Sequence, residues 1–205
     1  MPNIKYLGII IDEKLSWKEH SENVIRDLIK IISTFKFIRH YIPNKCKKQL
    51  YYAYVYSKIS YGLEIYGNAS RALMKKIQVL QNKSLKILYK KDWYMNTNIL
   101  HKQLQVLKVD DIVKLCILKF VHRCMTGDIP YIFENYFKKR SQIHGRYTRN
   151  VNKLEIPRYK TCTYGQKTIR YIGSKLYNIL PSHITEMRPL KIFCKNCKLH
   201  FLELY

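Results

Sequence analysis

Acidic side chains are the scarce chemistry of this sequence. In 205 residues, 14 Asp and Glu stand against 38 Lys and Arg, a formal net charge of +24. An excess this large excludes an electrically balanced surface, because charge of one sign on a compact body repels itself until a partner of opposite charge is bound. Glycine and proline are few, 7 and 6 residues, which excludes a glycine- or proline-rich low-complexity chain. Long apolar runs are missing too. The charge-free stretch QLYYAYVYS at 49–57 falls far short of the roughly 20 apolar residues that span a bilayer, so no transmembrane segment is expected. The first apolar run, IKYLGIII at 4–11, contains Lys5 and leads into Asp12 and Glu13. That order is not a secretory signal, so an intracellular protein, nuclear or cytoplasmic, with six reduced cysteines is expected.

What is present points to a folded body. Apolar residues make up 47% of the chain, with 18 Tyr and 7 Phe among them, too many for a disordered basic tail. A polyanion whose counterions are released on binding is the partner that explains the charge, and RNA or DNA leads. The excess is spread along the chain, +11 in residues 1–100 and +13 in residues 101–205. It forms no single juxtamembrane block, and no membrane partner is expected.

Hydrophobic spacing divides the chain. IKYLGIII reads as a β-strand or hairpin, closed by a turn at DEK. Ser16 then fits an N-cap, followed by Trp17, His20, Val24, Leu28, Ile31, Phe35 and Ile38 at helical spacing. Pro43 opens a second, tyrosine-rich helix expected to reach Gly67. Ser70 caps a third, with Leu73, Ile77, Leu80, Leu85 and Leu88 on its apolar stripe and Lys75, Lys76, Lys83 and Lys86 opposite. A short helix is expected from Thr97, and another from Asp110 to about Thr126, stopped by Gly127. Between Lys138 and Lys175 the sequence holds eleven Lys or Arg and one acid, Glu155, and the periodicity lapses until YIGSKLYNILP at 171–181. Pro189 opens a last amphipathic helix. The expected architecture is mainly α: a strand and turn over 1–15, a helical body over 16–137, a basic irregular segment over 138–170 and a small C-terminal helical unit over 171–205.

Three constellations have chemical potential. Asp110 and Asp111 are a carboxylate pair of the kind that holds catalytic metals. Their setting is helical, however, and a capping and first-turn role accounts for them, so no catalytic residue is expected. Cys194, Cys197 and His200 are three zinc-ligand types within seven residues, but a structural site needs a fourth ligand and no second pair lies nearby. Packing on the last helix is the stronger reading, as it is for Cys46, Cys116, Cys124 and Cys162. The basic segment is the best site candidate. Lys138, Lys139, Arg140, Arg146, Arg149, Lys153, Arg158 and Lys160 suit phosphates, and the interleaved Tyr147 and Tyr159 suit stacking.

Taken in order, several of these stretches resemble one family. KYLGIIIDEKLSWKEH is similar to the KYLG-x-x-x-D-x-x-L-x-W-x-x-H segment of non-LTR retrotransposon reverse transcriptases of the LINE-type, jockey- and chicken-repeat-like group. There it follows the polymerase palm and leads into the thumb. YYAYVYSKISYGLEIYGNAS, IQVLQNKSLKIL, HGRYTRN and YIGSKLYNILPSHI follow in the family's order, with Tyr66 and Tyr177 standing where the family usually has tryptophan. The resemblance implies the thumb and C-terminal part of such a polymerase: a thumb-like helical bundle that grips an RNA or DNA template-primer duplex along its backbone, with little regard to sequence. The family's metal-binding aspartates lie in the palm, before the KYLG segment, so no cofactor is expected in this chain. Mg belongs to the missing palm, itself an expected partner, and no activity is expected of the chain alone. Two other readings stay open: a decayed retroelement remnant with no activity, and a stand-alone basic nucleic-acid-binding module, in its zinc form built on Cys194, Cys197 and His200.

Overall fold

The computed structural model describes residues 3–143, 152–161 and 165–205, and these form a mainly α structure with one two-stranded sheet. They divide into two compact units, one running to Val113 and taking in Phe201–Tyr205, the other Lys114–His200. Among the described residues no helix is long and apolar enough to cross a membrane.

The first unit opens on a hairpin. Strands β1 (Ile4–Tyr6) and β2 (Ile9–Ile11) pair antiparallel, with Ile4 opposite Ile11 and Tyr6 opposite Ile9. Leu7 and Gly8 turn the chain at φ 45° and 81°, the mirror-image turn whose twist suits a two-residue hairpin loop. Ile9 is buried, whereas Ile4, Tyr6 and Leu7 are exposed.

The joint from hairpin to helix is built from the acidic turn. Asp12 accepts from the Ser16 backbone at 2.7 Å and from the Ser16 hydroxyl at 2.8 Å. Helix α1 (Lys18–Ile38) starts one residue later than the Ser16 cap implies: Trp17 holds the cap position at φ 59°, its indole buried. His20 fastens helix to sheet, its Nδ1 accepting from the Ile10 backbone at 3.4 Å while its ring meets Tyr66 edge-on at 4.8 Å. The buried stripe continues through Val24, Leu28, Ile32 and Phe35, so Ile32 takes the place expected of Ile31.

The tyrosine-rich stretch is not one helix. Helix α2 (Asn44–Leu50) passes into a π-helical segment at Tyr51–Tyr56 and then α3 (Ser57–Ser60), before the chain breaks at Tyr61 and Gly62. Gly62 sits at φ +67°, and a Cβ there would lie 2.6 Å from Ile9 Cδ1, so Ile9 of the hairpin packs closely against the break. A single turn, α4 (Leu63–Tyr66), follows. The tyrosines of the whole stretch do structural work: Tyr51 and Tyr66 are fully buried, the Tyr66 hydroxyl donates to the Ile59 carbonyl, and the Tyr61 hydroxyl donates to the Leu7 carbonyl.

Helix α5 (Arg71–Leu88), capped by Ser70, lies along α1. Its core face carries polar side chains that the apolar stripe concealed. Gln81, fully buried, donates to the Tyr51 hydroxyl at 2.7 Å and the Leu107 carbonyl at 2.9 Å. Gln78 donates to Gln81 and Asn82, and Asn82 Oδ1 meets Nε2 of His101, a residue of helix α6 (Thr97–Leu104). Gln78 also accepts from the Val109 backbone at 2.7 Å, satisfying one orphan N–H at the start of helix α7 (Val109–Thr126). The Gln-x-x-Gln-Asn spacing thus wires three helices together through buried and half-buried hydrogen bonds.

The second unit takes α7 from Lys114 onward. Phe120 stacks edge-on with Phe133, Tyr136 and Phe137, and helix α8 (Ile169–Ile179) comes close at Gly173, where a Cβ would lie 2.8 Å from Val121. A turn, α9 (Ser182–Thr185), leads to helix α10 (Leu190–Glu203), whose Phe193 and Cys197 are fully buried. His122 is fixed by the Met187 carbonyl at 2.7 Å, with its ring 4.3 Å from Phe193.

Candidate nucleic-acid interface

In the first unit three of the four candidate cations, Lys75, Lys76 and Lys83, share one face of α5. Met74, Ile77, Gln81, Ser84, Leu85 and Leu88 turn inward, which leaves Lys75, Lys76, Val79 and Lys83 on the opposite arc at helical spacing. Lys75 and Lys76 are exposed and Lys83 is half-buried. Among the described residues neither Lys75 nor Lys76 is in an ion pair. Lys86 differs from its neighbours: it is buried, and its ammonium donates to the Trp93 carbonyl, so it holds a loop rather than facing solvent.

In the second unit the basic segment is partly ordered by pairing. Lys139 bridges Leu154 in antiparallel register, the Arg140 N–H donates to the Lys153 carbonyl at 3.0 Å, and the Glu155 N–H donates to the Lys138 carbonyl at 2.9 Å. This short ribbon presents Lys138, Lys139 and Lys153 to solvent, with Arg140 half-buried. Its centre, Leu154, is fully buried and gripped by the Asn178 side chain of α8, which accepts from the Leu154 N–H and donates to its carbonyl, both at 2.8 Å. One amide side chain therefore completes the hydrogen bonding of a buried strand residue. Asn178 belongs to the Tyr-Asn-x-Leu-Pro stretch; its pairing with Leu154, 24 residues away, has no periodic signature.

Arg158 and Lys160 are exposed beyond the ribbon. Tyr159 between them is engaged: a Cβ on Gly165 would lie 2.3 Å from its Cβ, and its ring lies 6.3 Å from that of Tyr171. Arg146, Tyr147 and Arg149, in HGRYTRN, lie outside the described residues, as do Cys162 and Tyr164.

The other constellations take structural places. Helix α7 begins at Val109, so Asp110 and Asp111 both fall within its first turn, and Asp110 is not the cap. Asp111 accepts from the Tyr205 hydroxyl at 2.7 Å, and that hydroxyl accepts from the Lys108 N–H at 2.8 Å. Carboxylates in this turn complement the helix dipole. Cys194, Cys197 and His200 follow one another along α10, and among the described residues no group of three His, Cys, Asp or Glu is placed to hold a metal ion. Burial pushes the Cys197 thiol up to about 12 and the Cys194 thiol upward as well, which disfavours the thiolate that zinc requires.

Each unit thus carries exposed lysines among its described residues. The chain is 31% identical over 122 residues to the RNA-directed DNA polymerase from mobile element jockey of Drosophila melanogaster, covering 58% of this chain and 13% of that protein. It is 26% identical over 153 residues to the probable RNA-directed DNA polymerase from transposon X-element of Drosophila melanogaster, covering 73% of this chain and 14% of the relative. The probable polymerase from transposon BS of the same species is 26% identical over 110 residues, covering 52% of this chain and 12% of its own length. No family model and no solved structure matches. The relatives matched are therefore retrotransposon RNA-directed DNA polymerases, and the matched region spans 13% of the length of the jockey relative.

Proposed function

We propose that this chain is the thumb and C-terminal part of a non-LTR retrotransposon reverse transcriptase, and that it grips the template-primer nucleic acid through phosphate contacts with little regard to sequence. The observation that carries the reading is the outward arc of Lys75, Lys76 and Lys83 on a helix whose opposite face is core, in a chain of net charge +24. A rigid helix presenting cations at regular intervals follows a phosphate backbone, and each phosphate neutralised releases counterion. The ribbon of Lys138, Lys139 and Lys153 supplies a second group of cations of the same kind.

On this reading the catalytic carboxylates and their Mg ions belong to a palm outside these residues, and Asp110 and Asp111 take no part in chemistry. The palm is also a partner for the hairpin: Ile4 and Tyr6 of β1 are exposed, and among the described residues β1 pairs with β2 alone. The role places the protein inside the cell, where the nucleic acid is.

Fluorescence anisotropy with labelled RNA–DNA hybrid and DNA duplexes of unrelated sequence tests the proposal. Affinity should fall steeply with salt and vary little with sequence. Metal-dependent primer extension by this chain alone, or salt-independent binding, would overturn it.

A further inference from the structure

The loop that follows α5 holds two aromatic side chains in water. Trp93 is 57% exposed and Tyr94 96% exposed, and among the described residues neither ring stacks on another aromatic. Exposure here does not come from a slack backbone. Lys90 closes α5 in the left-handed region at φ 53°, and the Lys91 N–H reaches back to the Lys86 carbonyl at 2.9 Å. Asp92 accepts from the Tyr94 N–H at 3.0 Å through its side chain, and the buried Lys86 ammonium donates to the Trp93 carbonyl. Asn96 then caps α6 by accepting from the Asn98 N–H at 2.8 Å. The backbone is pinned from both sides while the rings it carries have no core role.

The surroundings are cationic. Lys90 and Lys91 are exposed in the same loop, and Asp92, its single acid, already accepts from the backbone. Lys90, ahead of the weaker influences of burial and Arg39, holds the His40 imidazole below its ordinary value, so the end of α1 and the end of α5 share one positive field. Two rings on a fixed turn, flanked by ammonium groups, match the chemistry of a nucleotide: a flat π-face joined to an anion. A protein partner needs an interface of about 800 Å² on each side, more than a five-residue turn presents. Trp and Tyr beside ammonium groups also suit an anionic membrane surface, which the vesicle arm of the test separates; the charge excess of the whole chain favours the nucleotide.

We propose that the Lys90–Tyr94 turn is a stacking site for unpaired nucleotides, in which Trp93 and Tyr94 take bases and Lys90 and Lys91 take the flanking phosphates. The inference rests on the nucleic-acid reading above and adds to it a place for single-stranded template or primer.

The sequence provides its own reporter, because Trp17 is 8% exposed and Trp93 is the other tryptophan. The full chain is titrated with oligothymidylate, oligouridylate, a blunt duplex of equal phosphate number, and vesicles of phosphatidylserine and phosphatidylcholine. Single strands should quench tryptophan emission. Trp93→Ala and Tyr94→Ala should each weaken single-strand binding by roughly 5- to 150-fold while duplex affinity stays within about two-fold. Trp93→Phe should restore most of the loss. Tyr94→Ala removes a ring in open solvent, so its fold is not at risk. Unchanged single-strand binding in that variant, with duplex binding intact, overturns this site and leaves the broader reading standing. Vesicle binding that depends on Trp93, without quenching by oligonucleotides, assigns the turn to a membrane and also overturns it. Failure of the wild-type chain to bind any nucleic acid overturns both.

Discussion

Asn178→Ala should release the basic ribbon. The substitution removes one acceptor and one donor from a single buried residue: the Leu154 N–H and carbonyl each lose a 2.8 Å bond to the same amide. Leaving a buried backbone group unsatisfied costs about 1–3 kcal/mol. Asn178 itself is half-buried, so water can reach part of the vacated site, and the two losses together should amount to about 2–4 kcal/mol in the second unit. Hydrogen exchange read at the Leu154 amide is the assay, with Lys175→Ala, an exposed change on the same helix, as control. Exchange should quicken by roughly 30-fold or more, the factor that corresponds to about 2 kcal/mol. Duplex affinity should fall with it, because Lys138, Lys139 and Lys153 lose a fixed spacing. If Leu154 exchanges as in the wild type, the clamp does not order the ribbon and the account of Asn178 fails.

Gln81→Leu replaces a fully buried amide and strands the Tyr51 hydroxyl and the Leu107 carbonyl, so the first unit should lose about 2–4 kcal/mol in denaturant unfolding. Gly62→Ala forces a Cβ into the left-handed region and against Ile9, and should cost about 1–3 kcal/mol, read by the same unfolding curve. Burial lowers the pKa of His20, and it lowers that of His101 against an opposing pull from the Val106 carbonyl. Below the unfolded value of about 6.5 the unfolded chain binds more protons than the folded one, so stability present at pH 7 should drain away towards pH 5. A midpoint that holds constant or rises towards pH 5 would contradict those environments.

The helical body was legible because its signals are local. Val24, Leu28 and Phe35 recur at helical spacing, Ser70 and Gly127 mark an end of α5 and of α7, and the stripe on α5 predicts the arc of Lys75, Lys76 and Lys83. Breaks were harder to read. Tyr51, Val55 and Ile59 stand four apart, as in one α-helix, yet a π-helical segment runs through them and the chain turns at Gly62, in the left-handed region, where Ile9, distant in sequence, packs. Gln78, Gln81 and Asn82 look like a helix surface in sequence. Gln81 is interior and Gln78 and Asn82 are half-buried, because their partners lie on Tyr51, His101, Leu107 and Val109. Lys86 falls within the basic face by angle and is removed from it by one carbonyl, that of Trp93. The ribbon was invisible for the same reason: Lys138–Arg140 and Lys153–Glu155 form no pattern alone and are paired by each other and by Asn178.

The central claim is that fixed cations on α5 and on the ribbon meet nucleic-acid phosphates. Its most direct test is the salt dependence of duplex binding by the wild-type chain and by Lys75→Gln/Lys76→Gln/Lys138→Gln/Lys139→Gln. Log affinity should fall steeply and linearly with log salt in the wild type, and the variant's slope should be shallower by about 0.9 for each phosphate contact removed. A slope that the four substitutions leave unchanged would contradict it.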